Sequence, residues 1–173
     1  MVGHEPGSFQ WAIDTLQRER LGNLQLKQMM KIIGALVKHK VPFTIENPIQ
    51  SLLWQTAELK TILGMEGCES AVFDQCVFGL RPPDSVPGDN KFVRERTRIV
   101  GILRGLSSLS ELCQGGHEHV HAVGSAKVNG RWIRRSSAAA AYPAKLCNAL
   151  SFLVNRHVQG LPFVPPRLCC HDH

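Results

Sequence analysis

The chain of 173 residues and 19.2 kDa has the size of one ordinary domain and little room for two. Hydrophobic residues make up 43% and charged residues 20%, a globular composition that excludes a disordered polyelectrolyte. Lys and Arg number 20 against 14 Asp and Glu, and the net +6 permits a polyanionic partner without requiring one.

Taken in chain order, residues 1–6 are polar and read as a loose start. Ser8 suits the cap of a first helix carrying Trp11, Ile13 and Leu16, which Gly22-Asn23 is expected to interrupt. A second helix is predicted over residues 24–39. Its Leu26, Met29, Met30, Ile33, Leu36 and Val37 recur at spacings of three and four and mark an apolar stripe. Residues 41–45 read as a strand that ends at Glu46-Asn47-Pro48, since Pro blocks regular continuation. Residues 51–63 read as a helix closed by Gly64. A second strand is predicted over 71–78 and a third over 97–103, with a Pro-rich loop over 80–90. Ser107-Ser108 suits the cap of a short helix ending near Cys113, and residues 114–121 form a turn rich in Gly and His. Residues 122–133 alternate around Asn129-Gly130, a strong hairpin signal. Pro143 then opens a final helix reaching about Asn155. The expected organisation is an N-terminal helical extension over 1–21, a main domain over 22–156 and an irregular tail over 157–173. Strands separated by helices favour an α/β domain with a partly parallel sheet, and the hairpin adds a late antiparallel edge.

No apolar run approaches the length of a membrane span, and no charged start leads into an apolar stretch with a cleavage site. An intracellular protein, nuclear or cytoplasmic and without a membrane partner, is therefore expected. The six cysteines are Cys68, Cys76, Cys113, Cys147, Cys169 and Cys170, and no Cys-x-x-Cys occurs. Reduced thiols fit that pattern better than a disulfide framework.

Three segments are candidates for chemistry. Glu46-Asn47 stands at a strand exit, where open α/β sheets place their ligands. A carboxylate there accepts from an exocyclic amine, and an amide both donates and accepts. The competing reading is an Asn-Pro turn with a surface Glu. The second segment runs from Lys91 through Arg94, Arg96 and Arg98. Residues 81–135 hold ten Lys or Arg and five Asp or Glu, a net +5 that is most of the chain's +6. Arg-x-Arg-x-Arg at strand spacing puts three guanidinium groups on one face, suited to phosphates. An edge strand guarded by charge reads the same way. The third segment holds Cys113, His117, His119 and His121. Only one Cys is local and the imidazoles alternate as along a strand, so a turn with surface histidines is preferred to a zinc site. Cys76, or the tail Cys169, Cys170 and His171, would complete a metal site only through tertiary proximity. No nucleophile elbow, dinucleotide fingerprint or phosphate loop is present.

Phe43-Thr44-Ile45-Glu46-Asn47-Pro48 with Ser51-Leu52-Leu53-Trp54, Phe73-Asp74-Gln75-Cys76-Val77-Phe78-Gly79, Arg94-Glu95-Arg96-Thr97, Cys113-Gln114-Gly115-Gly116-His117-Glu118-His119 and Ala141-Tyr142-Pro143-Ala144-Lys145-Leu146-Cys147 form a specific combination. Over residues 22–152 it resembles a family of cytosine-5 DNA methyltransferase-like proteins of protist, retroelement-associated reading frames. The resemblance implies a partial Rossmann-like sheet flanked by helices, the C-terminal half of a methyltransferase domain. It implies that Glu46 and Asn47 are the remnant of a base pocket, and that Arg94, Arg96, Arg98 and Lys91 face nucleic acid. The intact family uses S-adenosylmethionine and a Pro-Cys nucleophile loop. This sequence has no Pro-Cys, and no Gly-rich turn follows an N-terminal strand. The resemblance therefore implies a front that is cut or decayed and no cofactor held by this chain alone, while the Cys and His spacing leads to no metal being expected. DNA binding, self-association or a complementing polypeptide are the implied partnerships.

Overall fold

The computed structural model describes residues 9–166. Ser8, the loose start and the tail residues 167–173, with Cys169, Cys170 and His171, lie outside the described residues. The chain divides into two compact units between Val41 and Pro42.

The first unit is one helix, α1 (Phe9–Lys38), which runs unbroken through Gly22-Asn23. The predicted interruption does not occur. A Gly costs a helix about 1 kcal/mol relative to Ala, and here the good helix formers Leu, Gln, Arg and Glu before it and Leu, Gln, Lys and Met after it offset it. The helix stops where Lys40 turns left-handed at φ 54°. The Val41 amide then donates back to the Leu36 carbonyl at 2.9 Å, the closure usually left to glycine.

The second unit is mixed α/β. Its main sheet contains β1 (Phe43–Pro48), β2 (Glu69–Asp74) and, after a short β3 (Lys91–Val93), the central β4 (Arg96–Ile102). The order is β1-β4-β2, with β4 antiparallel to both neighbours. β1 and β2 therefore run parallel to each other without pairing, and their carboxyl ends leave at the same edge. Parallel pairing is found instead in a small ladder of β3 with β5 (Glu118–Val120) and at a Phe73–Glu111 bridge. Both short strands went unforeseen; three residues are too few for a period to show.

Alternation along the strands decides what covers each face. Ala71, Phe73 and Ile99 project to one side and pack with Leu106, Leu109 and the Leu146, Ala149 and Leu153 stripe of the last helix. That helix spans Ala144–Val158 and is α4 in chain order. Beside the other face, a 3-10 turn (Leu52–Gln55) and α2 (Ala57–Leu63) replace the single predicted helix. Thr56 divides them. Its hydroxyl donates to the Leu53 carbonyl at 2.8 Å and accepts from the Leu59 amide at 3.4 Å, capping α2.

Near Leu103 the expected Ser107-Ser108 cap is replaced by a 3-10 turn (Leu106–Leu109) that Glu69 holds. The Glu69 carboxylate accepts from the Gly105 amide (2.9 Å), the Ser107 amide (3.0 Å) and the Ser107 hydroxyl (2.7 Å). Burial works against that charge, yet these donors outweigh it and bring the Glu69 pKa below its ordinary value. The hairpin forms as predicted from β6 (Ser125–Val128) and β7 (Arg131–Arg134). Asn129 at φ 48° and Gly130 at φ 80° supply its two left-handed positions. A short α3 (Arg135–Ala139) then leads to α4, with Pro143 just before its first turn. No helix among the described residues is long and apolar enough to cross a membrane.

Candidate functional site

The shared carboxyl edge of β1 and β2 collects most of the residues singled out in the sequence. At the end of β1 the Trp54 indole N–H donates to the Pro48 carbonyl at 2.9 Å, and the Ile49 amide donates to the Arg96 carbonyl at 2.9 Å. The strand exit is thus pinned from two sides. Glu46 and Asn47 are both half-buried and stand opposite Ile99 and Arg98. Successive strand residues face opposite ways, so the acid and the amide leave opposite faces of β1 and do not form one grip. The Glu46 Oε2 accepts from the Tyr142 hydroxyl at 2.5 Å. Burial, then this bond and the Glu46 charge, push the Tyr142 pKa well up. Tyr142 is the only tyrosine of the chain, and nothing in its sequence context pointed to a residue 96 positions away.

At the end of β2 stands Asp74, its side chain fully buried. Arg96 grips it through two bonds, Nε to Oδ1 at 2.9 Å and an Nη to Oδ2 at 3.0 Å. The Cys113 amide donates to Oδ2 at 3.0 Å, and Arg94 Nε lies 3.5 Å from the same oxygen. Burial alone would raise the Asp74 pKa, but Arg96, the Cys113 amide and the Arg94 charge outweigh it and hold the carboxyl below its usual range.

The three arginines do not form a row on one strand. Arg94 precedes β4, while Arg96 and Arg98 lie on it. Arg98 donates from Nε to the Ser70 hydroxyl at 3.2 Å, and its guanidinium sits 5.3 Å from the centre of the Trp54 ring. Lys91 is exposed at the start of β3, opposite Glu118. One buried carboxylate thus faces two guanidinium groups and leaves one positive charge in excess at the rim.

A cleft of about 650 Å³ opens beside this edge, lined by residues 48–50, 94–96 and 121–123. Glu95, on its wall, has a raised pKa, first from burial and then from the Glu46 carboxylate nearby. Backbone from the β1 exit, guanidinium groups from the start of β4 and His121 thus surround one concave space.

Below the same edge, four dispersed side chains converge. Cys76 is buried on the 3-10 turn (Gln75–Phe78) that follows β2. Cys113 Sγ lies 3.6 Å from His117 Nε2 and 3.4 Å from His119 Nε2, and the Gly115 amide donates to it at 3.3 Å. One donor atom from each of Cys76, Cys113, His117 and His119 lies within 4.8 Å of all the others. Burial, then the Cys113 thiol, push Cys76 up to about 12, while burial and then His119 lower the His117 pKa. These imidazoles are not a surface decoration of the turn, and His121, the third in the run, goes to the cleft instead. Cys76 lies 37 positions before Cys113, too far for spacing to reveal.

Comparison with protein families, curated proteins and solved structures finds no match to this chain.

Proposed function

We propose that the chain is an incomplete relative of the cytosine-5 DNA methyltransferases that binds nucleic acid without transferring methyl groups by itself. The observation that carries this reading is the open cleft that the end of β1, from Pro48 to Gln50, shares with Arg94, Glu95 and Arg96, with the Glu46 carboxylate close to Glu95 on its wall. Arg96 spends its fork on the buried Asp74, while the half-exposed Arg94 keeps guanidinium donors for a phosphate. In this reading Glu46 accepts from the edge of an unpaired base, with Tyr142 fixing the carboxylate's direction. Asn47, on the opposite face, acts as a positioning residue of the strand exit. Arg94 and Lys91 supply charge at the rim, while Arg96 and Arg98 set the shape of the β4 start.

The sequence offers no Pro-Cys loop to form the covalent adduct that activates a cytosine ring. Cys113 and Cys76 lie among histidines in a separate cluster, which is not the context of that nucleophile.

Fluorescence anisotropy with a short single strand and the matching duplex tests this. Binding should weaken steeply between roughly 50 and 200 mM salt, because released counterions drive it. Arg94→Ala and Lys91→Ala should each lower affinity and reduce the salt slope by about one. Glu46→Gln should change base preference and leave the slope alone. Binding insensitive to salt, or untouched by both basic substitutions, overturns the nucleic-acid reading. Methyl transfer from S-adenosylmethionine by the isolated chain overturns its second half.

A second reading, one half of a split methyltransferase, is favoured by a single feature: β4 is the only strand neighbour of β1 among the described residues. A polypeptide bringing further strands would add to that edge.

A further inference from the structure

We propose that Cys76, Cys113, His117 and His119 hold a structural zinc ion. A tetrahedral zinc with bonds of about 2.3 Å to sulfur and 2.0–2.1 Å to nitrogen sets its S···N edges at about 3.5 Å. The Cys113 sulfur lies 3.6 and 3.4 Å from the two imidazole Nε2 atoms, the edges of such a tetrahedron. Cys76 completes the set within the 4.8 Å that spans all four donors.

Hydrogen bonding explains the arrangement poorly. Two imidazole nitrogens and the Gly115 amide all converge on the single Cys113 sulfur. A thiol is a weak donor with one proton and a weak acceptor besides, so it rewards such crowding little. A thiolate bound to a cation accepts the Gly115 amide as an outer contact and needs the imidazoles beside it, not upon it. Two thiolates and two imidazoles also select zinc by softness over magnesium or calcium, which take oxygen.

The local backbone is shaped to this end. Gly115 at φ 94° and Gly116 at φ 86° fold the chain back on itself between Cys113 and His117, a conformation that side-chain-bearing residues rarely adopt. His117 and His119 then meet edge to face, ring centres 4.6 Å apart, while Phe92 of β3 packs 4.6 Å from the His117 ring. Asp74 accepts from the Cys113 amide and so fixes the loop that bears the ligand. The outer shell is thereby built as firmly as the donors.

All four positions are filled by protein, so the site is closed and structural rather than catalytic. Binding exchanges two thiol protons for the dication, which leaves the filled site neutral. The ion would tie the turn after β2 to β5, and through it to β3. That ladder has three residues per strand, below the size at which two strands persist alone.

The test uses the full chain, with Zn²⁺ and then Co²⁺ as the probe metals. One zinc per chain is expected. Cobalt should give intense thiolate-to-metal charge transfer with the visible bands of tetrahedral coordination. Cys76→Ser and Cys113→Ser should each weaken binding by more than the roughly 10–100-fold typical of outer-shell losses. A combined Cys68, Cys147, Cys169 and Cys170→Ser variant should keep it. Stoichiometric binding that survives loss of both Cys76 and Cys113 overturns the proposal, as does the pale spectrum of octahedral cobalt or no uptake at tenfold metal excess. Where a substituted chain fails to fold, the cobalt spectrum of the unaltered protein still reports the donor set. Nucleic-acid binding enters none of these readouts, so the zinc site and the proposed function fail or stand separately.

Discussion

Asp74 meets three demands through one carboxylate: it anchors Arg96, steadies Arg94 and receives the Cys113 amide. Replacing it by Ala strips charged hydrogen bonds from guanidinium groups that are themselves 45% and 37% exposed. Water re-solvates them in part, so the expected cost is about 2–3 kcal/mol, below that of a fully buried pair. Chemical denaturation at neutral pH measures it. The folded-state pKa of Asp74 is depressed, so its contribution is present above the ordinary carboxylate range and is lost as pH falls through the folded value. The difference between the Asp74→Ala variant and the unaltered chain should therefore shrink from about pH 4 downward; a difference that is constant down to acid pH refutes the ion-pair assignment. Glu95, with its raised pKa, acts in the opposite sense: its contribution is complete below its unfolded pKa and is lost as pH rises through the higher folded one. At this scale the sequence was informative where chemistry was local. Glu46 could be placed at a strand exit because Pro48 ends the strand two residues on. Its partner Tyr142 was hidden, and Cys76 could be named only as one of several residues that tertiary proximity would have to bring to Cys113, because contacts across 96 and 37 positions are made by the fold alone.

The strands and turns show why some elements were readable and others not. Asn129-Gly130 dictates its hairpin through two left-handed positions that few residue pairs tolerate. Pro143 and the 146, 149, 153 spacing mark α4 equally well. Gly22-Asn23 misled because a glycine breaks a helix only when its neighbours also prefer to leave it, and here α1 continues. Alternation of helix and strand suggested a partly parallel sheet, yet β4 enters between β1 and β2 and runs against both. Pairing direction is set by how long connections return, and residue pattern does not record that. Gly101 reveals how tightly β4 is inserted. A Cβ on it would stand 2.0 Å from the Phe43 carbonyl oxygen and 2.8 Å from the Thr44 Cα, both fixed backbone. Gly101→Ala should therefore pry β1 from β4 and cost about 1–3 kcal/mol. Ala at Gly22, where the space is open, should instead stabilise α1 by up to about 1 kcal/mol. Thermal melts of the pair decide it: two substitutions that shift the midpoint alike would refute the close-approach argument.

For the whole molecule, the decisive feature is how its main sheet ends. β2 is partly closed on its outer side: the Asp74 amide donates to the Glu111 carbonyl at 3.0 Å, and the Val72 amide donates to the Ser110 hydroxyl at 3.3 Å. β1 has no such cover from a strand, since β4 is its only strand neighbour among the described residues. An edge strand with no strand beyond it offers its outward amides and carbonyls to a second chain. Purified protein should therefore associate as its concentration rises, and sedimentation velocity over a hundredfold range will read the shift in mean mass. Thr44, exposed on β1, is the place to blunt the edge: Thr44→Lys adds a charge to the edge strand that an incoming strand would have to pack beside, and should move the chain toward monomer without altering its melting midpoint. A co-expressed polypeptide that completes the sheet should suppress self-association in the unaltered chain and lose its hold on the Thr44→Lys variant. Monomer at every concentration, in both variants, would mean that the β1 edge is already satisfied, and with it the case for a missing half of the sheet would fall.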